Sequence, residues 1–370
     1  MRILALEPYY GGSHRAFLDG WQARSGHEFT LLGLPAYKWK WRMRHAAVTF
    51  AEMVAKRVEQ GERWDAIFCS DMLNLPEFRG LTAPHVAALP AVVYFHENQL
   101  TYPQQRAKER DYHFAYTNIT TAHAAEAVWF NSVYHRDIFL HAAVTFLQRM
   151  PDYSHADMID DIRDKAVVHS PGIHEFPARG ARQDGPLRIL WAARWEHDKN
   201  PDDFFAALDI LEQSGIDFRL SVIGESFAQF PEVFAEARCR FSDRIDRWGY
   251  QESREEYVAA LLDADVAVST AVHEFFGIGI VEAVAAGAFP VVPRRLAYPE
   301  TMAALESDET AAIFFDGSVG GLADRLQELA ARQQAGPLWG ATPQRGRSAM
   351  RRYHWDHIAA EMDAAMDGLR

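Results

Sequence analysis

The stretch Val266-Ala-Val-Ser-Thr-Ala-Val-His-Glu-Phe-Phe-Gly-Ile-Gly-Ile-Val-Glu-Ala-Val-Ala-Ala-Gly287 decides the fold. A β-branched apolar run ends at Thr270, a loop carries Gly277 and Gly279, and an apolar helical segment stops at Gly287. The order strand, glycine-bearing turn, helix is the repeating unit of an open α/β sheet, in which ligands bind at the carboxyl ends of the strands. Glu274 stands on the turn and Glu282 lies eight positions later, early on the helix. The free N–H groups and positive dipole end of a helix start favour an anion. Two carboxylates beside such a site suit a ligand with both hydroxyls and phosphates.

Working outward, the chain of 370 residues exceeds the size at which a single core stops growing, so two domains of similar size are expected. Only Cys69 and Cys239 occur, far apart, which excludes a disulfide framework and a cysteine-based zinc site and points to a reducing, cytoplasmic compartment. Glu7 interrupts the apolar N-terminus, which reads as a first buried strand rather than a signal peptide. No window reaches the length of a membrane span. The net charge of −13 argues against general nucleic-acid binding, but it is unevenly spread. Residues 1–180 carry 19 Lys and Arg against 20 Asp and Glu; residues 181–370 carry 19 against 31. The first half also holds 12 of the 16 histidines, so a polyanion can approach it without a general penalty.

In that first half, Ile3 to Leu6, Phe29 to Leu34, Ala66 to Ser70, Ala91 to Phe95 and Val128 to Val133 read as strands. Residues Glu109 to Asn118 and Ala122 to Ala127 read as helical. Gly11 and Gly12 follow the first strand and permit close backbone approach. His96, Glu97 and Asn98 follow the Ala91 run, at the carboxyl end where open sheets place sites. The run Tyr37-Lys-Trp-Lys-Trp-Arg-Met-Arg-His45 has three readings: a solvated face, a stacking surface for unpaired nucleotides, or a membrane-surface patch. The interleaving of Trp39 and Trp41 with Lys38, Lys40 and Arg42 favours stacking, because a solvated face seldom contains two tryptophans. Domain boundaries are placed at 1–172, a linker at 173–186 and a second domain at 187–349, with a C-terminal helix over about 350–370 crossing back to the first domain. The second domain restarts with strands at Leu187 to Ala193 and Phe218 to Glu225, a turn at Trp248 to Tyr250, and late strands at Phe289 to Val292 and Ile313 to Phe315. Arg194 and Lys199 lie on a strand-to-helix loop before Pro201, where they would hold a diphosphate, or else pair with nearby acids.

These residues resemble a known family. Arg194 and Lys199, Gly224, Gly249 and the Glu274-x7-Glu282 pair are similar to the donor half of retaining glycosyltransferases of the GT-B fold, family 4. Glu7-Pro-Tyr-Tyr-Gly-Gly-Ser-His14, Leu34-Pro-Ala-Tyr-Lys-Trp-Lys-Trp-Arg42, Tyr94-Phe-His-Glu-Asn-Gln-Leu-Thr-Tyr-Pro103 and Phe130-Asn-Ser-Val133 resemble the N-terminal domain of the tRNA-queuosine α-mannosyltransferases. Arg194-Trp-Glu-His-Asp-Lys199 and His273-Glu-Phe-Phe-Gly277 also look like that family, so the likeness covers essentially the whole chain. It implies an α/β GT-B fold, two facing Rossmann-like domains with a cleft between them. It further implies GDP-mannose as donor and, as acceptor, a cyclopentene hydroxyl of queuosine in aspartate tRNA.

By the same resemblance, Glu282 meets the ribose hydroxyls, Arg194 and Lys199 the diphosphate, and Glu274 with Phe276 and Gly277 the mannose. His96 reaches the sugar, and Gly11 and Gly12 lie against the diphosphate and reacting carbon. Gly224, Gly249 and Tyr250 complete the nucleotide-sugar set. His14, Glu97, Asn98 and the Lys38 to Arg42 run face the acceptor. No cofactor, metal or dedicated general base is expected, and oligomeric state is open.

Three rivals differ in class. A glycoside hydrolase could use Glu274 and Glu282 as its carboxylate pair, but would have no use for the Arg194 and Lys199 cations. A metal-dependent GT-A enzyme is suggested by Asp263-Ala-Asp265, although that match precedes its strand. A non-catalytic RNA-binding module leaves the donor residues without purpose. Within GT-B, a lipid, polysaccharide or other small acceptor is the alternative.

Overall fold

A computed structural model describes residues 1–102, 112–182, 184–226, 230–305, 313–340, 342 and 344–369. It divides into a unit of Met1–His174 with Tyr353–Arg370 and a unit of Glu175–Arg352. Each is built on one parallel sheet.

The N-terminal sheet contains β1 (Arg2–Tyr10), β2 (Glu28–Pro35), β3 (Ala66–Ser70), β4 (Ala91–Phe95), β5 (Ala127–Phe130) and β6 (Ala166–Val168), in the spatial order β2-β1-β3-β4-β5-β6. The five-residue strands β3 and β4 are buried throughout, as a sheet covered on both faces requires. From β1 the chain moves first to β2 on one side and then to β3 on the other, so strand order reverses at β1 and β3. Ligands bind at such reversals in open sheets.

The C-terminal sheet contains β7 (Leu187–Ala192), β8 (Phe218–Ile223), β9 (Ile245–Gly249), β10 (Val266–Val268), β11 (Phe289–Pro293) and β12 (Phe314–Phe315), ordered β12-β11-β10-β7-β8-β9. Its reversal falls between β7 and β10, which pair in parallel. Two α/β, Rossmann-like units on parallel sheets, as expected from the sequence, are therefore observed.

Several local readings change. The strand in the opening stretch is short, Val266–Val268, and Gly279 lies inside the helix Ile278–Ala286 rather than on the turn. A Cβ on Gly279 would stand 2.8 Å from the Ala192 carbonyl oxygen, so the helix is pressed against the end of β7 at that glycine. Trp248-Gly249 ends a strand instead of making a turn, and Ala127 opens β5 after a helix that closes at Ala124. The helical reading at Glu109 to Asp111 lies outside the described residues. Asp263 ends the helix Arg254–Asp263, while Asp265 is buried; it accepts hydrogen bonds from Arg179 (3.0 Å), Arg182 (2.8 Å) and the Arg188 backbone N–H (3.0 Å). The DxD match is thus a structural anchor, and it fastens part of the stretch expected as a linker to the C-terminal unit.

The helix Trp355–Asp367 packs in the N-terminal unit. Its Trp355 indole fills a slot made by two glycines: a Cβ on Gly20 or on Gly172 would come within 2.2 Å of it. Asp363 accepts from Trp21 Nε1 (2.8 Å), Ser25 Oγ (2.6 Å) and the Gly26 N–H (2.7 Å). Burial of Trp355, Met362 and Met366 contributes about 1.5–3 kcal/mol each to holding the helix there.

Candidate active site

In the C-terminal unit the reversal of strand order brings two loops together. After β7 the chain runs through Arg194 into a short 3-10 turn, His197–Lys199, and then into the helix Pro201–Gln213. After β10 it runs through Ser269 to Phe276 and enters the helix Ile278–Ala286 at Gly277, whose φ of 82° lies in the left-handed region. A Cβ there would also meet the Tyr298 ring at 2.7 Å, so glycine is required twice over. Ala192, Lys199, Ser269, Glu274, Gly277 and Tyr298 line a pocket at this point.

Lys199 is buried, and its Nζ donates to the His273 carbonyl (3.0 Å) and to Glu274 Oε2 (3.2 Å), with Asp198 Oδ2 at 3.1 Å. Burial opposes its charge, but Glu274 and Asp198 together outweigh burial and raise its pKa. Glu274 mirrors this: burial resists ionisation, while Lys199 and backbone N–H groups of the turn hold its carboxyl below the usual range. Its Oε1 accepts from the Phe275 and Phe276 N–H groups at 3.1 and 3.3 Å. Burial, reinforced by Lys199, holds His273 down to about 4, so it is neutral at pH 7. The result is a fixed cation beside a fixed carboxylate, both already desolvated.

Arg194 is half-exposed and pairs with Glu196 at 3.2 Å, and its charge is felt by Lys199 and His273. Gly224, at the end of β8, takes φ 152° with its α-carbon against the Ala193 carbonyl; a Cβ would stand 1.8 Å from that oxygen. Gly249 closes β9 with φ 93°, Tyr250 beside it is exposed, and Phe276 is buried. Glu282 is held by two residues that the sequence did not flag. Tyr257 Oη donates to its Oε2 at 2.7 Å, and Arg254 donates to Oε1 at 3.3 Å while lying over the Phe176 and Tyr257 rings.

At the N-terminal reversal the polar groups come from widely separated segments. Glu7, at the end of the apolar part of β1, is fully buried; its Oε1 accepts from the Tyr9 N–H (2.8 Å) and Ser70 Oγ (3.0 Å), and its Oε2 lies 3.2 Å from His14 Nδ1. His14 sits on the helix Gly12–Gln22, and its ring lies 4.0 Å from that of His96. Burial works against a charged His14, yet Glu7, Asp71 and Glu97 together push it up to about 9. His96 is the reverse case: burial, then His14 and His135, hold it well below its ordinary value. Its backbone N–H donates to Asp71 Oδ1 at 3.0 Å, and burial raises the Asp71 carboxyl. Asn98 is buried, and its Oδ1 caps a turn by accepting from Leu100 and Thr101; Glu97 accepts from Gln99. Gly11 fits because a Cβ would stand 2.4 Å from Ala36 Cβ, whereas Gly12, at φ 51°, faces open space.

The basic aromatic run opens the helix Trp39–Glu59, and its two tryptophans separate. Trp39 is half-buried against Phe114 (5.4 Å) and the cluster of Met43 and Met72. Trp41 is 63% exposed with Lys38 and Lys40 exposed beside it, and Arg42 turns to the Pro35 carbonyl at 2.9 Å. Glu7 and Asp71 were missed as site residues. The available signal was a carboxylate ending an all-apolar strand beside a Gly-Gly turn.

Two parallel sheets, each with its polar cluster at the reversal of strand order, and a buried Lys–Glu pair at the second of them agree with the class that comparison with known proteins shows, a glycosyltransferase of the GT-B fold. Residues 173–337 match the family described as Glycosyl transferases group 1, and residues 2–173 match the one described as tRNA-queuosine alpha-mannosyltransferase N-terminal. A tRNA-queuosine alpha-mannosyltransferase of Drosophila melanogaster is 36% identical over 310 residues, covering 80% of this chain and 81% of that protein. A glycogen synthase of Mycobacterium tuberculosis is 30% identical over 190 residues, 46% of this chain and 44% of its own. The solved sucrose-phosphate synthase of Thermosynechococcus elongatus superposes with a TM-score of 0.74 over 100% of this chain and 99% of its own at 16% identity, a likeness of fold. The chain belongs to the tRNA-queuosine alpha-mannosyltransferase family. Among the described residues no helix is long and apolar enough to cross a membrane.

Proposed function

We propose that this chain transfers mannose from GDP-mannose, with retention, to a cyclopentene hydroxyl of queuosine in tRNA, aspartate tRNA being the expected carrier. The observation that supports this reading best is the buried Lys199–Glu274 pair at the reversal of the C-terminal sheet, in a chain whose N-terminal half is of the family's own type. In this reading Lys199, aided by Arg194, neutralises charge as the diphosphate leaves, which is the main electrostatic demand of the transition state. Glu274 and the Phe276–Gly277 backbone orient the sugar, and Glu282, held by Tyr257, takes the ribose hydroxyls. The diphosphate is held by side-chain cations in place of a metal. His14 and His96 serve the sugar and acceptor side, and exposed Trp41 with Lys38 and Lys40 meets the RNA. The test is incubation with labelled GDP-mannose and tRNA that contains or lacks queuosine. Label is expected only in the queuosine-containing tRNA; transfer indifferent to queuosine, or to a lipid or polysaccharide instead, overturns the acceptor assignment.

A further inference from the structure

The N-terminal cluster has a feature that its role beside an acceptor does not use. Glu7, His14 and His96 each offer a ligand atom, and these atoms lie within 4.8 Å of one another. They come from three separate elements: β1, the helix Gly12–Gln22 and the loop after β4. Glu7 Oε2, His14 Nδ1 and His96 Nε2 are all shut off from solvent, and none has a hydrogen-bond partner. Buried polar atoms are nearly always satisfied, so His96 Nε2, orphaned beside a Glu7–His14 ion pair that is out of hydrogen-bond alignment, calls for an occupant. We propose that Glu7, His14 and His96 bind one divalent transition-metal ion of the zinc type.

The rival is a metal-free ion pair between Glu7 and His14 with His96 stacked on it. The 3.2 Å separation of Glu7 Oε2 and His14 Nδ1 fits both, because two ligands each about 2.0–2.2 Å from one ion also sit roughly 3 Å apart. Two observations favour the ion. The close approach of Glu7 and His14 is not an aligned hydrogen bond, and the stacked pair leaves His96 Nε2 with nothing. The carboxylate is also pre-oriented: Tyr9 and Ser70 hold Oε1, which leaves Oε2 to face the two imidazoles. Two imidazoles and one carboxylate suit zinc and its neighbours better than magnesium or calcium, which prefer all-oxygen sets. Three protein ligands leave a position for a water or substrate oxygen. The ion would tie three elements together at the sheet edge and orient that oxygen. The proposal does not depend on which donor or acceptor the enzyme uses.

The full-length chain, purified without a metal-affinity step and stripped with chelator, should be titrated with Co²⁺ while visible d–d absorption is followed. One equivalent per chain is expected, displaced by Zn²⁺. Both His14→Gln and His96→Gln should weaken binding about 100-fold or more, and His85→Gln, at an exposed site elsewhere, should not. Circular dichroism establishes that each variant folds; if one does not, X-ray absorption of the zinc-loaded wild type must show two imidazole scatterers. Absence of a cobalt spectrum, a spectrum indifferent to His14 and His96, or zinc without imidazole scattering overturns the proposal. Because none of these readouts needs substrate, its failure is distinct from failure of the mannosyl-transfer reading.

Discussion

At the ends of β7 and β10 the C-terminal unit buries one ammonium between two carboxylates, with every contact within about 3.2 Å. At the ends of β1 and β3 the N-terminal unit buries carboxylates and imidazoles with several of their atoms unmatched. The topological position is the same; the state of readiness differs. The first edge already holds its cation against two carboxylates in the free protein, an arrangement that can stabilise developing charge with little reorganisation. The second pairs its Glu7 carboxylate with a histidine and leaves a second imidazole nitrogen, His96 Nε2, without a hydrogen-bond partner.

The largest expected effect tests the claim that the donor edge is preorganised. Lys199→Ala should lower kcat/KM by about 100- to 1,000-fold, the scale of losing one preorganised donor to a developing charge. It should also destabilise the C-terminal unit, because Glu274 and Asp198 would be left buried without their cation. A variant with near-normal turnover would break the comparison at its stronger end.

Acidification probes both units together. His169 in the N-terminal unit and His273 in the C-terminal unit are each held down to about 4, in both cases chiefly by burial. A histidine whose folded pKa lies below its unfolded value of about 6.5 contributes stability that is complete above pH 6.5 and lost as pH falls toward 4. Over that window each should account for about 3 kcal/mol, read from urea unfolding at stepped pH with a fluorescence signal from each unit. Stability flat between pH 6.5 and 4.5 in either unit would show that its histidine is not buried neutral.

The two tryptophans of the basic run sharpen the contrast on the N-terminal side. Trp41→Ala should leave the melting temperature unchanged and weaken tRNA binding by about 1–3 kcal/mol, the worth of one base stacked on an aromatic ring. Trp39→Ala should instead destabilise the fold through lost packing on Phe114. Equal RNA-binding losses without unfolding would return both residues to one surface. The smallest effect concerns Glu282: Tyr257→Phe removes one hydrogen bond to a carboxylate and should raise KM for the sugar nucleotide about tenfold, with kcat little changed. A kcat loss of the same size would place Tyr257 closer to the chemistry.

How far the sequence could be read follows the same division. The donor loops are local: Arg194 to Lys199 and His273 to Gly277 are short runs, each attached to one strand end, so residue type and spacing were enough to nominate them. The N-terminal cluster joins Glu7, Asp71 and His96 across nearly ninety positions, and spacing carries no information about such a meeting. The helix Arg254–Asp263 shows a second limit. Tyr257 looks like any buried aromatic on a helix, and only its 2.7 Å bond to Glu282 distinguishes it. The Asp263-Ala-Asp265 match shows a third, since a pattern that could ligate a metal instead neutralises Arg179 and Arg182.

The sequence alone therefore determined the two α/β halves, because apolar runs, glycine turns and helix starts are written in contiguous residues with their own periodicity. It also nominated the cations and carboxylates on the loops that follow β7 and β10. Tertiary structure alone decided which groups face one another: that Lys199 bonds Glu274 while Arg194 turns to Glu196, that Trp355 enters a slot between Gly20 and Gly172, and that Glu7, His14 and His96 converge. The physical reason is that charge pairing and metal affinity depend on distance and desolvation, and both are set by strand order rather than by position along the chain.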